Sequence, residues 1–507
     1  MKKLLFTALA AIVAGGMWAE NPYDKYYTNL PIEIEHVQPV TFPDTTVNLK
    51  TYLRQIPGWK MGDLCTAAIQ QGLDELSAAG GGHLIIPRGE WTTGPIELRN
   101  NVDLHLSKGA VLRLTTDRTQ FILPDKKGNI PTKCRAGFTG KNVKNIGITG
   151  EGTIDGQGIY WRPIKEKKLF KDSESEEDKE AWTNVQTLGG TLVQDDKTYR
   201  IWYPFHIKDF EGNPIPDICT NAKDQEAMRN NLIDLTGGEN VLIEGVHVKN
   251  SPKFHIVPRQ LHNLIIDNVT IWCPWWAQNG DAMDIGNCRT VLVVNTKLNC
   301  GDDGICMKAG VGQKGKDLGP NTDFLITNDT VYHAHGGFVI GSEFSGGMQK
   351  MIVQNCLFDG TDIGLRFKSA PGRGGECHDI YIRDIVMRNI KEDAIFFEAG
   401  YADKRAGGGS ATAGDQQDAF FPDWGNIHFS NITAANVRNF VNAVGAYNPI
   451  HDMTFENVNI YGVRMEPLKL EKCERFTFTN CSYSPATGTN AIKKCKSIVY
   501  NGTDLAE

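Results

Sequence analysis

The chain has 507 residues, with 53 Lys and Arg against 60 Asp and Glu, and a formal net charge of −7. This mildly acidic balance argues against a nucleic-acid partner, because phosphate binding usually requires a basic surface. The length is sufficient for a very large hydrophobic core.

The N-terminal residues have the pattern of a secretory signal peptide. Lys2 and Lys3 precede a short apolar run from Leu4 to Ala14. We expect cleavage near Ala19, so that residues 1–19 are removed and the mature protein is periplasmic or secreted. The run ends before the roughly 20 apolar residues that a membrane span needs, and no later segment has that pattern. We therefore expect no membrane span, and we expect a monomer.

Residues 20–60 are assigned to an N-terminal extension and residues 61–507 to one repetitive domain. At residues 64–80, apolar side chains recur at helical spacing and end at three consecutive glycines. This pattern predicts a short capping helix that hides the open edge of the first repeat. Residues 157–235 are charged and aromatic and break the repeat, which predicts a long insertion.

From residue 140 onward a short phrase recurs, in which two aliphatic strands flank an Asn or Asp. In five copies this residue stands at positions 268, 295, 328, 355 and 384, so that the spacings are 27, 33, 27 and 29 residues. Such a period, without helical spacing, is typical of a parallel β-helix. Asparagines at the corners tolerate left-handed backbone and can stack into ladders. The sequence therefore predicts an all-β chain folded as a right-handed parallel β-helix.

Three acidic residues, Asp281, Asp302 and Asp303, are candidates for chemistry. Asp281 and Asp302 are separated by 21 residues, close to one coil, which places them on adjacent turns about 4.8 Å apart. Asp302 and Asp303 can serve one site only if the backbone turns between them, and the flanking glycines permit this. Crowded carboxylates repel each other, which raises at least one pKa and keeps a proton available. A single Asp-Gly pair would more often be a simple turn.

Further polar residues follow one coil apart. His335 comes 33 residues after Asp302, and Arg366 comes 31 residues after His335. Arg366 and Lys368 point the same way on a strand, so that two cations face the side of the carboxylates. Cations suit a substrate that is itself a carboxylate, and a protonated acid beside an ionised one suits glycoside hydrolysis.

Four motifs, in this order and spacing, resemble the signature motifs of the polygalacturonases of glycoside hydrolase family 28: Asn279-Gly280-Asp281, Gly301-Asp302-Asp303-Gly304, His335-Gly336 and Arg366-Phe367-Lys368. The resemblance covers about residues 60–485. Ala334 stands where the family usually has Gly, and Phe367 where Ile is common. The resemblance implies hydrolysis of α-1,4-galacturonosidic bonds in pectin with inversion, without a metal or cofactor.

The resemblance also implies roles for individual residues. Asp302 would be the general acid, Asp281 and Asp303 would hold and activate the water, and His335 would tune the acid. Substrate binding is assigned to five residues, of which the two on the Arg-Phe-Lys strand would bind the uronate: Asn279, Lys308, Arg366, Lys368 and Tyr401. The wording around Tyr401 is not the usual one for the family.

Three alternatives are open. A pectate-lyase-like enzyme would use the aspartates to hold Ca²⁺ and an Arg as base, and has no place for a general acid. A rhamnogalacturonan or xylogalacturonan hydrolase of the same family, or a non-catalytic glycan-binding β-helix, would have a similar sequence. The insertion and the loop at about 401–424 are long enough to close one end of a groove, which favours exo action.

Overall fold

The computed structural model describes residues 21–123, 133–158, 161, 163–164, 190–194, 197–201, 229–401, 419–484 and 488–506. The predicted signal peptide lies outside these residues, as do most of the predicted insertion and most of the loop at 401–424. Within the described ranges, no helix has both the length and the apolar character that crossing a membrane requires.

The chain folds as a right-handed parallel β-helix, as predicted. In the described residues, 33 of the 38 strands form one continuous sheet, whose strands pair in parallel except at its C-terminal end. The other five strands form two small antiparallel sheets. The strands in chain order are β1 (Thr46–Asn48), β2 (Gly82–Ile86), β3 (Gly89–Thr93), β4 (Ile96–Glu97), β5 (Val102–Leu106), β6 (Ala110–Leu114), β7 (Ile122–Leu123), β8 (Lys133–Cys134), β9 (Phe138–Gly150), β10 (Thr153–Asp155), β11 (Pro163–Ile164), β12 (Gly190–Gln194), β13 (Lys197–Ile201), β14 (Ile233–Glu244), β15 (His247–Lys249), β16 (Ile256–Asp267), β17 (Thr270–Trp272), β18 (Met283–Gly286), β19 (Arg289–Val294), β20 (Lys297–Asn299), β21 (Asp303–Lys308), β22 (Asn321–Thr327), β23 (Thr330–His333), β24 (Gly336–Ser342), β25 (Met348–Gln354), β26 (Leu357–Asp359), β27 (Ile363–Ser369), β28 (Glu376–Arg388), β29 (Ile395–Glu398), β30 (Asp423–Ala435), β31 (Val441–Val444), β32 (Ile450–Tyr461), β33 (Leu468–Glu471), β34 (Cys473–Thr479), β35 (Ser482–Ser484), β36 (Ala491–Lys493), β37 (Lys496–Tyr500) and β38 (Thr503–Asp504).

Three ladders of parallel strands form the faces of the solenoid. Ladder A contains β1, β2, β5, β9, β14, β16, β19, β22, β25, β28, β30, β32, β34 and β37. Ladder B begins at β4, uses the N-terminal parts of β9, β14 and β16, and continues through β18, β21, β24, β27, β29, β31, β33 and β36. Ladder C contains β3, β6, β10, β15, β17, β20, β23, β26 and β35, together with the C-terminal parts of β28, β30 and β32.

Asparagines make the corners, as the repeat predicted. Asn268, Asn295, Asn328 and Asn355 all have a positive φ, between 53° and 60°. At a second corner the amides form a ladder along the axis, in which each Nδ2 donates to the Oδ1 of the preceding coil over 2.7–3.0 Å, through Asn263, Asn240, Asn145 and Asn101. Each corner amide therefore satisfies its neighbour while the chain turns.

Aliphatic and aromatic side chains fill the interior and stack from coil to coil. The rings of Phe367 and Phe397 lie 4.2 Å apart and nearly parallel, and those of Phe455 and Phe478 lie 4.3 Å apart. Eleven cysteines lie in the described ranges; all are free thiols, and all but Cys134 are buried. These cysteines act as small core residues.

Helices are few. The predicted capping helix is α2 (Thr66–Ala78), which follows α1 (Leu49–Leu53) and is closed by glycines with positive φ. The apolar face of α2 is buried over the first coil, with Ile69 and Leu73 fully enclosed. The third α-helix, α3 (Gly312–Leu318), lies between ladders B and A, and 3₁₀ turns occur at Asp24–Tyr26 and Arg118–Phe121.

Residues 21–42 form a segment that we call the N-terminal strap. It lies on the outer face of ladder A, where Tyr27, Ile34 and Val37 are buried against an apolar stripe of five coils: Leu242, Ile265, Leu292, Leu325 and Ile352. Polar contacts hold the strap as well: the backbone amide of Gln38 donates a hydrogen bond to Asn263 Oδ1 over 2.8 Å. The sequence predicts an extension here, but not its packing on the β-helix.

Candidate active site

The candidate site lies where the chain passes from ladder C into ladder B on successive coils. Asp281 precedes β18, Asp302 and Asp303 stand at the start of β21, and His335 precedes β24. Neighbouring coils are bonded through their backbones here. The Ala282 amide donates to the Asp303 carbonyl over 3.0 Å, and the His335 amide donates to the Asp302 carbonyl over 2.7 Å. The ladder therefore fixes the spacing of the functional side chains.

The three predicted aspartates converge. One carboxylate oxygen from each of Asp281, Asp302 and Asp303 lies within 4.8 Å of the other two. The backbone bends at Gly301 and Asp302, which lets Asp302 and Asp303 face the same space. A Cβ at Gly301 would lie 2.3 Å from the Ala277 carbonyl oxygen, so the bend requires glycine.

Asp303 is buried against two cations. Its Oδ2 accepts a hydrogen bond from Lys368 Nζ over 2.6 Å, and its Oδ1 lies 3.6 Å from Arg366 Nη1. Burial raises the pKa of Asp303, but the charges of Lys368 and Arg366 outweigh it and hold the pKa well below its usual range. Asp303 is therefore ionised over the whole range in which the protein can work.

Asp302 and His335 form a pair, with Oδ1 3.2 Å from Nδ1. Burial is the largest effect and raises the pKa of Asp302, but the hydrogen bond to His335 and the charges of His335 and Lys368 together outweigh it, so the pKa is lowered overall. Burial is the largest effect and lowers the pKa of His335, but the hydrogen bond to Asp302 and the nearby negative charges together outweigh it, so the pKa is raised. The free site therefore favours a carboxylate beside an imidazolium.

The crowding of the three carboxylates raises the pKa of Asp281. Burial and the charge of Asp302 raise the pKa of Asp281 well above its ordinary value. The predicted rise in pKa is thus present, but it falls on Asp281 rather than on the residue assigned as general acid. Asp281 Oδ1 is buried and has no hydrogen-bond partner within the described residues.

A layer of charges beneath the site was missed by the sequence analysis, except for Lys308. Lys308 Nζ lies 3.9 Å from Asp284 and 3.3 Å from Glu343, and Arg373 lies 3.4 Å from Glu343. Burial raises the pKa of Asp284 to about 6, although Lys308 opposes the rise. Asp284 is a charged residue between Met283 and Ile285, both fully buried, and that interruption of an apolar strand was the available signal.

Two further predicted residues lie at the edges. The Tyr401 ring centroid lies 5.7 Å from the Arg366 guanidinium carbon and 5.1 Å from Lys368 Nζ, so Tyr401 stands over both cations. The Oδ1 of Asn279 accepts a hydrogen bond over 2.9 Å from Arg229, a residue that the sequence analysis left in the insertion. The side-chain oxygen of Asn279 is therefore already hydrogen-bonded within the protein.

The three aspartates also have the spacing of a metal site. The oxygens of Asp303, however, already face Lys368 and Arg366. These two positive charges oppose a divalent cation at the same oxygens. The arrangement fits proton transfer beside an anionic substrate better than it fits a metal.

Known proteins resemble this chain in sequence and in structure. Residues 206–483 match the family described as glycosyl hydrolases family 28. The exo-poly-alpha-D-galacturonosidase of Dickeya chrysanthemi is 28% identical over 353 residues, which cover 67% of this chain and 55% of that enzyme. The endo-polygalacturonase of Pectobacterium carotovorum subsp. carotovorum is 27% identical over 73% of this chain and 77% of that protein.

The solved structure of a hyperthermoactive exopolygalacturonase from Thermotoga maritima is similar with a TM-score of 0.65 and 24% identity, over 93% of this chain and 95% of that chain. This likeness supports the fold. The sequence match spans little more than half of the Dickeya enzyme, at 55% of its length. Because the family match alone extends over more than half of the chain, from residue 206 to residue 483, the chain is a glycoside hydrolase that belongs to glycosyl hydrolases family 28.

Proposed function

We propose that this protein hydrolyses α-1,4-galacturonosidic bonds of polygalacturonate by an inverting acid–base mechanism. The observation that carries the proposal is the juxtaposition of a carboxylate–imidazole pair, Asp302 and His335, with two largely buried cations, Arg366 and Lys368. The carboxylate–imidazole pair can move a proton, and the two cations can hold a uronate. The names of the curated relatives, which are polygalacturonases, agree with it.

The uronate is held by Arg366 and Lys368. The side chain of Arg366 is 15% exposed and that of Lys368 is 6% exposed, so a carboxylate that reaches them is largely desolvated. Charge-assisted bonds are strong under those conditions. The ring of Tyr401 flanks the same two cations and closes the position on one side. Lys308 acts from beneath, as part of the charge network with Asp284 and Glu343.

Asp302 donates the proton to the leaving oxygen. In the free site Lys368 contributes to the lowered pKa of Asp302, after the larger effect of His335. A bound uronate neutralises Lys368 and Arg366, which raises the pKa of Asp302. The proton of the His335 imidazolium then passes to Asp302, which becomes the general acid. Substrate binding thus prepares the acid.

Water attacks from the side of Asp281 and Asp303. Asp303 is ionised and accepts the proton of the water, while Asp281 holds the water through its unpartnered oxygen. Arg366 and Lys368 hold the oxygens of Asp303 in place, which disfavours direct attack of this carboxylate on the sugar. This argument supports inversion. Asp281, which holds the water, lies one coil before Asp302, and His335 lies one coil after Asp302. Because the leaving sugar departs on the side opposite the water, it lies towards His335 and Arg366.

The carboxylate spacing by itself does not select the stereochemistry. The nearest oxygens of the three aspartates lie within 4.8 Å. This is closer than the about 6.5–9.5 Å of most inverting glycosidases and than the about 5–5.5 Å of retaining ones. NMR of the first-formed product therefore tests the proposal. We expect the β-anomer from an α-linked galacturonan; initial release of the α-anomer would require one of the aspartates to be a nucleophile.

Exo action is the proposed mode. The Dickeya relative is named as an exo enzyme and the Pectobacterium relative as an endo enzyme, so the family contains both. Product analysis decides between them: an exo enzyme releases short products from chain ends while the viscosity of polygalacturonate falls slowly. Rapid loss of viscosity would mean endo action. Equal or faster turnover of rhamnogalacturonan or xylogalacturonan would replace the substrate assignment.

The proposal further includes an exported monomer that requires no metal. The signal-like N-terminal residues support export. Chelation should leave activity intact, and no product should absorb as an unsaturated uronate. Loss of activity on chelation that Ca²⁺ restores would favour the lyase interpretation, and size-exclusion chromatography reports the oligomeric state.

A further inference from the structure

A cavity of about 490 Å³ lies on ladder B, beyond the candidate site in the direction of the C-terminus. The register of the strands places it: Arg366 is paired with Phe396, Phe396 with Asn442, and Asn442 with Lys469. Adjacent coils are about 4.8 Å apart, so the cavity begins one coil beyond Arg366. A sugar linked to the uronate at Arg366 and Lys368 therefore extends into it.

The charges of this cavity differ from those of the uronate position. Arg438 lines it, but the guanidinium binds both oxygens of Asp393, over 2.7 and 3.0 Å, and lies 3.3 Å from Glu392. Its charge is thus already balanced. Glu398 and Glu466 also line the cavity, and neither forms an ion pair within the described residues. A second uronate would meet these two carboxylates; of the cations that line the cavity within the described residues, Arg438 is already paired and Lys469 is exposed.

One buried polar atom in this cavity lacks a partner. Asn442 is 4% exposed, and its Nδ2 donates to Asp393 Oδ2 over 2.9 Å, which fixes the orientation of the amide. Its Oδ1 has no hydrogen bond within the described residues. A buried acceptor without a donor is costly, and a sugar hydroxyl would supply the donor. A carboxylate would not.

The remaining feature is an aromatic surface. Phe396 lies on the outer face of ladder B next to Arg366 and is partly exposed, whereas its neighbour Phe397 is fully buried in the core. Aromatic rings bind the apolar face of a pyranose without regard to its charge. The cavity thus combines a ring that suits the apolar face of a sugar with an unpartnered acceptor and two carboxylates that suit its hydroxyl groups.

We propose that this cavity is a subsite for a neutral pyranose, which follows the held uronate on its reducing-end side. This inference rests on the proposed function and deepens it: the preferred substrate has a galacturonate pair followed by an uncharged sugar. The enzyme is then suited to places where a galacturonan chain meets neutral sugars rather than to uniform polygalacturonate.

The test compares two trisaccharides that differ in one group. Trigalacturonate and the same trisaccharide with galactose at its reducing end are both cut after the first residue. In the galactose form the third sugar has no carboxylate to repel Glu398 and Glu466, and its hydroxyl group can donate to Asn442. We therefore expect kcat/KM to be about tenfold higher for the galactose form than for trigalacturonate. The double variant Glu398→Gln and Glu466→Gln should narrow this ratio by increasing turnover of trigalacturonate. Glu456→Gln, the same change at an exposed position on ladder A, should leave the ratio as in the wild type.

A second variant removes the acceptor. Asn442→Leu should lower kcat/KM for the galactose form, relative to digalacturonate, about tenfold. Phe396→Leu, which keeps an apolar residue, provides the same comparison if the first variant unfolds. Faster turnover of trigalacturonate, with a preference that Lys469→Gln removes, would overturn the inference and assign a uronate to the cavity.

Binding separates the two proposals. Calorimetry on the Asp302→Asn protein measures affinity for both trisaccharides without turnover. Tighter binding of the galactose form supports the subsite even if the wild-type protein hydrolyses neither trisaccharide, an outcome that would refute the proposed function alone. Equal or weaker binding of the galactose form would refute the subsite.

Discussion

The outer faces of ladder A and ladder B are built on the same coils but carry opposite residues. On five coils of ladder A an outward stripe is apolar, and the N-terminal strap covers it with Tyr27, Ile34 and Val37. On ladder B the outward positions carry charges, among them Asp303 and Lys368, and the strap does not cover them. Since the core is shared, the difference between the faces lies in what each leaves for another molecule to contact.

The two faces also differ in energy. Burying an aliphatic side chain under the strap stabilises the fold by about 1.5–3 kcal/mol. On ladder B, burial works against the carboxylates: it is the main cause of the raised pKa of Asp281 and opposes the ionisation of Asp303. One face therefore supplies stability and the other holds poorly solvated charges. Substitutions should separate these effects.

The largest expected effect is on ladder B. Asp302→Asn keeps the shape of the side chain but removes the proposed acid, so kcat should fall at least about 10³-fold. The melting temperature should change little. Asp44→Asn, the same change at an exposed position, should leave kcat as in the wild type. Near-normal turnover by the Asp302 variant would refute the assignment.

Lys368→Met should give the next largest effect. It removes one of the two cations that bind the uronate and leaves Asp303 with Arg366 alone, so kcat/KM should fall about 10²-fold, mainly through KM. Because the Lys368 charge lowers the pKa of Asp303, its loss should also move the acid limb of the pH profile upwards. A change in kcat alone would place Lys368 outside substrate binding.

The sequence predicted the strands of ladder A and the site residues of ladder B, but not the segment that covers ladder A. The coil spacing was sufficient to place Asp281, Asp302 and Asp303 on one side, because a solenoid converts sequence distance into position along an axis. Which aspartate has the raised pKa was not predictable, since this depends on the distances to His335, Lys368 and Arg366 in three dimensions.

The strap shows the opposite case. Its contacts join residues far apart in the chain, such as Gln38 with Asn263 and Glu35 with Thr290. No repeat connects residues 21–42 with ladder A, so periodicity contains no signal for the contact. Arg229 was missed for the same reason: its bond to Asn279 spans 50 residues. Local patterns therefore predict the coils, while docking of non-repetitive segments requires the structure.

Ile34→Ala tests the covered face. Ile34 is a strap residue whose side chain packs on ladder A and is 5% exposed. Truncation should lower the free energy of unfolding by about 2 kcal/mol, measured by urea denaturation. Glu33→Ala, next to it and exposed, should have almost no effect. Turnover per folded molecule should match the wild type for both variants, and a loss of kcat in the Ile34 variant would mean that the faces are coupled.

The smallest effect concerns His335 and depends on pH. The pKa of His335 is raised, so its proton is present below the ordinary value of about 6.5 and is lost only as the pH rises through the higher folded value. The ion pair with Asp302, its contribution to stability and its supply of a proton should therefore all be present in mildly acidic solution and disappear on the alkaline side. In His335→Gln the alkaline limb of kcat/KM should move to lower pH, with a loss of about tenfold at pH 7 and a smaller one at pH 5. A uniform loss at both pH values would show that His335 only positions Asp302 and supplies no proton.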